Sequence, residues 1–298
     1  MRFFSKTHID FIRHRRLAYL ISGSLIAAGL ISLAVKGGPA MSIDFAGGIL
    51  LQLKFENPVT PGELRSALDE AGYGNSEIQR FKTGNEVLIR APSAEGGDVT
   101  EKIKASITAK FQDNPFEVRR EELVGPKVGK ELERNAIWAI VVALGAILVY
   151  VGFRFQFRFA VAAVAALFHD VLVTLGLFSL TNREISLAVV AAFLTLVGYS
   201  LNDTIVVFDR IREDLRKYHR EHYEGVINAS INETLSRTTM TSFTTLLVVL
   251  FLFFMGGEVL RDFSFALLVG IIVGTYSSIF VASPILVDWQ HKSPQRRR

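Results

Sequence analysis

The stretch Gly198-Tyr199-Ser200-Leu201-Asn202-Asp203-Thr204-Ile205-Val206-Val207-Phe208-Asp209-Arg210 decides how this chain is read. Apolar residues run from 187 to 201 with few polar breaks and resume over 205–208, so Asp203 stands inside a membrane span. An acid there costs about 2.5 kcal/mol or more to insert, so it faces a bundle interior, a partner charge or a water-filled cavity. It lies six residues before Asp209, about 9 Å deeper at 1.5 Å per residue. A short side chain does not easily reach the interface from that depth. The plainer alternative is a hydrated acid near the membrane surface. Burial favours the neutral acid and a nearby guanidinium favours the anion, opposing pulls that permit proton uptake and release.

Two other ionisable positions echo it. His169-Asp170 lie in the middle of an apolar run over 159–180, and Arg237 opens the polar run Thr238-Thr239-Met240-Thr241-Ser242-Phe243-Thr244-Thr245. Acid, imidazole and guanidinium on separate helices are the parts of an ion pathway. Each also has a plainer reading. Asn202 and Tyr199 either donate hydrogen bonds to the carboxylate or only pack against a neighbouring helix. Arg237 is either a charge partner, beside a hydroxyl face of Thr238, Thr241 and Thr245, or an ordinary anchor at a span's inner end. His169-Asp170 is either a proton-relay pair or a static link between helices. No further His or Asp surrounds it at ligand spacing, which argues against a metal site. An intramembrane aspartyl protease would need Asp170 and Asp203 to face each other, and no glycine directly precedes Asp203.

Working outward, 50% of the 298 residues are hydrophobic, a fraction that soluble domains also approach. Distribution decides the class, because charge is almost absent from several windows of about 19 residues, the length of a membrane crossing. Six spans follow: 17–35, 135–153, 159–180, 185–208, 238–255 and 263–287. The net charge of +4 belongs to basic residues flanking these spans, so it reads as orientation and not as nucleic-acid binding. With the N-terminus inside, the inner segments hold Arg2, Lys6, Arg13, Arg15, Arg16, Arg154, Arg158, Arg210, Arg212, Arg216, Lys217, Arg220, Arg237, Lys292 and Arg296 to Arg298. The two short outer loops hold only Arg183 and Arg261. Positive charge marks the cytoplasmic side, so both termini, 1–16 and 288–298, are expected inside. The first span reads as an uncleaved anchor, since its apolar run is long for a signal core and Gly38-Pro39-Ala40 is a poor cleavage site. Cysteine is absent, which rules out disulfides and thiolate chemistry.

Residues 36–134 lie between the first two spans, with a folded outer domain from about residue 40. Strands are expected at 49–56, 76–81, 86–90 and 116–124. Helices are expected at 61–71, opened by Thr60 and Pro61, and at 98–111, capped by Asp98 with Ile103, Ile107 and Phe111 inward. Lys82-Thr83-Gly84-Asn85 is a hairpin turn signal. The order βαββαβ is the ferredoxin-like pattern. This α+β domain carries no plausible catalytic cluster and reads as a binding or coupling module. Residues 209–237 form a charged inner segment in which Arg210, Glu213 and Lys217 suggest an amphipathic surface helix. In the last span Ala266, Gly270, Gly274, Ser278 and Ala282 recur every four positions, a stripe that lets another helix approach closely.

Residues 198–214, GYSLNDTIVVFDRIRED, resemble the signature of the SecF family, membrane components of the bacterial protein-export machinery. The likeness runs nearly end to end. Ser42-Ile43-Asp44-Phe45-Ala46-Gly47-Gly48 is similar to the family's GIDFxGG element, with Ser42 where glycine is usual; an altered turn leaving the first span is expected. His169-Asp170-Val171 resembles its HD-V element, and residues 270–278 its final-span motif. The resemblance implies a six-helix half bundle of the resistance–nodulation–division (RND) type in the cell inner membrane, paired with SecD. It implies assistance to the SecYEG channel, indirect dealings with SecA, and YajC as a further partner. It also implies a non-enzymatic, proton-driven role in pulling unfolded polypeptide across, with no cofactor besides transported H+. By position Asp203 and Arg237 match the family's transmembrane charged residues implicated in proton conduction, with the partner acid expected from SecD; Asn202, Asp170 and His169 are further pathway candidates from the residue reading above. Two other readings stand beside it: half of a small-molecule exporter of the same superfamily, and a passive assembly subunit.

Overall fold

A computed structural model describes residues 7–81, 84–91, 99–218 and 221–293. The chain forms two compact units, one from Met41–Trp138 and one from Met1–Ala40 with Ala139–Arg298. The first long helix, α1 (Arg15–Lys36), ends at Gly37, whose φ of +76° is the left-handed conformation that favours glycine. There the Gly38 N–H donates to Leu33 O at 2.9 Å, closing the helix end.

The Met41–Trp138 unit starts with a single turn, α2 (Ile43–Ala46), and Ser42 caps it by accepting from Asp44 N at 3.2 Å. The serine that departs from the family pattern therefore does the work of an N-cap. Next come β1 (Gly48–Phe55), α3 (Pro61–Glu70), β2 (Glu77–Arg80), β3 (Glu86–Ala91), α4 (Val99–Lys110) and β4 (Phe116–Val124). The strands form one antiparallel sheet in the order β2-β3-β1-β4, which is the expected βαββαβ arrangement. Strand alternation sends Ile49, Leu51, Leu53 and Phe55 to the face that meets Leu64, Leu68, Ile103 and Ile107, all buried. Leu50 and Leu88 point to the other face, beside Ile43. Thr60 and Glu63 form a reciprocal capping box at the start of α3.

Three details depart from expectation. Phe111 is only half-buried, since α4 ends at Lys110 and the ring packs edge-on against Phe55 at 5.2 Å. A register shift between Gln52 and Leu53 bends the β1–β4 pairing. The turn α2 carries no periodic signal and is invisible to a pattern reading. The expected cap Asp98 and the turn residues Lys82 and Thr83 lie outside the described residues.

The membrane unit continues with α5 (Pro126–Arg154), α6 (Phe157–Leu180), α7 (Leu187–Lys217), α8 (Tyr223–Met255), α9 (Gly257–Ser277) and α10 (Ser283–Lys292). With α1, these supply six helices long and apolar enough to cross a membrane, α9 and α10 sharing the last. This is a multi-pass membrane protein. Several helices outrun the apolar windows: α5 begins at Pro126, and α7 and α8 absorb most of the charged segment 209–237. The apolar window measures the bilayer, whereas Arg, Glu and Lys remain good helix formers beyond it.

Between α9 and α10 the chain widens into a π turn, Ser278–Ala282. Pro284 has no N–H and its ring clashes with the carbonyl four residues back, so the ladder shifts locally. Ser283 Oγ donates to Ser278 O at 2.8 Å, satisfying a carbonyl there. α6, α7 and α9 form the interior, while α5 turns Val141, Val142, Val149 and Phe153 outward, where they are exposed. The small-residue stripe sits inside: Ala266, Ser278 and Ala282 are fully buried. A Cβ on Gly270 would lie 1.9 Å from Leu196 Cδ1, and one on Gly274 3.0 Å from Ser200 Cβ.

Candidate proton-pathway site

Asp203 lies on α7 and is 3% exposed. Two hydroxyls reach it from neighbouring helices: Ser242 Oγ on α8 donates to Oδ2 at 3.3 Å, and Thr275 Oγ1 on α9 stands 3.5 Å from the same oxygen. The two hydroxyls are 2.6 Å apart, and Thr275 also donates to Ile271 O at 2.7 Å. A carboxylate has about four lone-pair sites, and two long hydroxyl contacts on one oxygen fill few of them. Among the described residues Asp203 has no ion pair. The site can therefore hold the acid as a neutral carboxyl or as an anion without breaking a salt bridge.

A second network surrounds Asp170 on α6, which is fully buried. Its Oδ2 accepts from Ser277 Oγ at 2.8 Å and from Ser200 Oγ, and its Oδ1 faces His169 Nδ1 at 2.8 Å. His169 Nε2 meets Ser22 Oγ of α1 at 2.9 Å. Ser22 in turn donates to Tyr276 OH at 3.3 Å, and that hydroxyl donates to Ala18 O at 2.9 Å. Residues of three helices, α6, α7 and α9, thus meet at one acid with both oxygens engaged, and α1 joins through His169. Ser200 stands three residues before Asp203 on α7, and Ser277 two residues after Thr275 on α9. The two networks are consecutive layers of one interior and share no hydrogen-bond partner. Asp170 and Asp203 have no direct hydrogen bond to each other among the described residues.

The structure separates other residues that the sequence grouped. Asn202 is exposed and makes no hydrogen bond to Asp203, because one residue turns a helix by about 100°. The Tyr199 hydroxyl is buried with no hydrogen-bond partner among the described residues. Arg237 is exposed and forms no ion pair with Asp203 among the described residues. Thr241 and Thr245 return their hydroxyls to their own helix, at Arg237 O (3.1 Å) and Thr241 O (2.9 Å). The α8 hydroxyl that reaches the acid is Ser242, one position off the expected threonine face. Ser22, Ser200, Ser242, Thr275, Tyr276 and Ser277 were not singled out from the sequence. Serine in a span is too common a packing residue to signal a site without a known neighbour.

Residues 103–292 match the family model for the protein export membrane protein SecD/SecF C-terminal region, and residues 31–59 match the SecD/SecF GG motif. The chain belongs to the SecD/SecF family. Related sequences include the protein translocase subunit SecF of Desulfurispirillum indicum, 50% identical over 95% of this chain and 92% of its own length. That of Rhodothermus marinus is 46% identical over 100% and 98%. Among solved structures, SecDF of Thermus thermophilus, described as a translocon-associated membrane protein, matches with a TM-score of 0.87 at 42% identity. A super-membrane-facing form of SecDF gives 0.72 at 41%. These alignments cover 96% and 97% of this chain but only 39% and 40% of the solved chains. The family's double glycine is Gly47-Gly48, with φ of +72° and +144°. A Cβ on Gly48 would lie 2.8 Å from Ala91 O, so both conformation and space require glycine there.

Proposed function

We propose that this chain is the SecF-type subunit of a bacterial protein translocase. With a SecD-type partner it uses the proton gradient to promote late movement of polypeptide through SecYEG. It sits in the inner membrane with both termini in the cytoplasm, as the basic flanking residues indicate. The observation that carries this reading is Asp203, an acid 3% exposed within a membrane helix and met, among the described residues, by the hydroxyls of Ser242 and Thr275. An intramembrane acid is a functional site by default, and this one can exchange a proton without disturbing an ion pair. The solved SecDF chains extend well beyond the part aligned here, and a separate SecD-type partner supplies the remainder. Exposed Asn202 and Arg237 are available to its helices.

The test is Asp203→Asn in inner-membrane vesicles that also contain the SecD-type partner. The isostere removes the titrating group while keeping bulk. The variant should insert and assemble normally and lose gradient-dependent export at least tenfold, while ATP-driven export continues. Full gradient-dependent export by the variant would remove this carboxyl from the pathway and leave a passive assembly role.

A further inference from the structure

At the Arg154 end of the bundle an open cleft of about 600 Å³ is lined by Arg154, Asp209, Arg212, Glu213, Arg216 and Lys217. Part of this charge is spent within the protein. Arg154 pairs with both oxygens of Asp209, at 2.7 and 2.9 Å, and Glu213 pairs with Arg210 at 2.9 Å. Arg212, Arg216 and Lys217 have no carboxylate partner among the described residues. Arg212 and Arg216 are four apart on α7 and share a face. Arg212 Nε is buried and has no hydrogen-bond partner among the described residues. Planar guanidinium donors suit phosphate oxygens, which accept them in pairs.

The cleft's level narrows the ligand. Arg154 ends α5, whose apolar outer residues are exposed, and its pairing with Asp209 sets the two at one height. Arg212 and Arg216 follow Asp209 by about 5 and 10 Å along α7, across the headgroup layer just outside the hydrocarbon core. Tyr150 and Phe153 in the last turn of α5 and Phe157 at the start of α6 flank Arg154 in the chain and are 50%, 90% and 74% exposed, an apolar surface next to the basic cleft in sequence. Free phosphate has no use for that apolar wall, whereas a lipid carrying a phosphate does. Orientation by positive charge alone needs neither a cleft nor a buried unpaired donor.

We infer that this cleft binds the phosphate of an anionic phospholipid headgroup, held by Arg212, Arg216 and Lys217 with the acyl chains along the exposed aromatics Tyr150, Phe153 and Phe157. Native mass spectrometry of the full-length protein in detergent tests it, with phosphatidylglycerol, phosphatidylethanolamine and inorganic phosphate as probes. Phosphatidylglycerol should be retained in preference to phosphatidylethanolamine, and millimolar phosphate should not displace it. Arg212→Gln/Arg216→Gln/Lys217→Gln should weaken retention at least about tenfold, since each basic residue near an anionic surface carries about fivefold. Arg13→Gln/Arg16→Gln, which removes charge outside the cleft, should change it less than about twofold. Arg212→Lys/Arg216→Lys keeps the charge and hence the insertion topology, and should still weaken retention because the planar forks are lost. Equal retention of the two lipids, equal loss in both glutamine variants, or no loss in the lysine variant would overturn the assignment. Displacement by inorganic phosphate would make the source free phosphate and overturn it as well.

Discussion

Replacing Gly29 by alanine should loosen the contact between α1 and α6, and the size of the effect follows from the geometry. A Cβ on Gly29 would lie 2.5 Å from Gly176 Cα, backbone that cannot rotate away, and one on Gly176 would lie 2.8 Å from Gly29 Cα. Non-bonded carbons prefer about 3.5–4.0 Å, so the helices must part by about 1 Å. The same interface carries the Ser22–His169 contact at 2.9 Å and Ser32–Ser179 at 2.7 Å. A parting of about 1 Å takes both beyond hydrogen-bond range. Overpacking of this kind costs about 1–3 kcal/mol, and each stretched hydrogen bond adds about 1 kcal/mol. The better helix propensity of alanine returns about 1 kcal/mol. Gly23 on the same helix is the control, since a Cβ there meets nothing within 4 Å. Gly23→Ala should be neutral or slightly stabilising. The propensity gain is common to both variants, so the remaining difference of about 3–5 kcal/mol should separate their melting in detergent by roughly 6–20 °C, at about 2–4 °C per kcal/mol. A Gly29→Ala protein melting within about 2 °C of Gly23→Ala would refute the close-approach argument.

Ser277→Ala removes a donor from a buried carboxyl and should destabilise the bundle by about 1–3 kcal/mol. Ser242→Ala breaks the 3.3 Å contact to Asp203 and the 2.6 Å contact to Thr275, neither of which is the main support of a fully buried carboxyl, and should instead show in gradient-dependent export, so thermal unfolding and export assays should rank the two oppositely. Thr60→Ala should lower the stability of the outer domain by about 1 kcal/mol through its lost cap. Glu63 accepts from Thr60 N and Oγ1 at 2.9 and 2.7 Å, which holds its carboxyl below the usual range. A lowered folded value means stabilisation that is present at neutral pH and lost as pH falls through that value. The difference in melting between the native protein and Glu63→Gln should therefore close below about pH 4. Asn228 and Asn232 clamp the N-terminal segment through Ile9 N, Ile9 O and Phe11 N at 2.9–3.0 Å. Their joint replacement by alanine should raise amide exchange at residues 9–12 without unfolding α1.

Legibility differed sharply between the two units. In the outer unit, period-two alternation in β1 and the i, i+4 pair Ile103 and Ile107 were enough to predict the strands, the helices and their buried faces. Each signal there is local, and the turn chemistry between elements is local too. Its gaps are of one kind: α2 is too short for periodicity, and the bulge at Gln52/Leu53 depends on pairing with β4. In the membrane unit the acids were legible and their partners were not. His169-Asp170 stood out because ionisable residues are rare in apolar runs, but nothing local shows that Ser22, 147 positions away, meets the imidazole.

The sequence by itself determined that the chain crosses the membrane six times, that an α+β domain stands between the first two crossings, and that Asp203, His169 and Asp170 lie where charge is costly. These follow from transfer free energies summed over short windows, a property that a linear string contains. Only the tertiary structure decided that Ser242 and Thr275 attend Asp203, that Asn202 and Arg237 look outward, and that Asp170 is the better satisfied of the two acids. The reason is rotational. A shift of one residue turns a side chain by about 100° around its helix. The rotation each helix adopts is set by close approaches such as Gly29 on Gly176 and Gly274 on Ser200, which join residues that no local pattern connects.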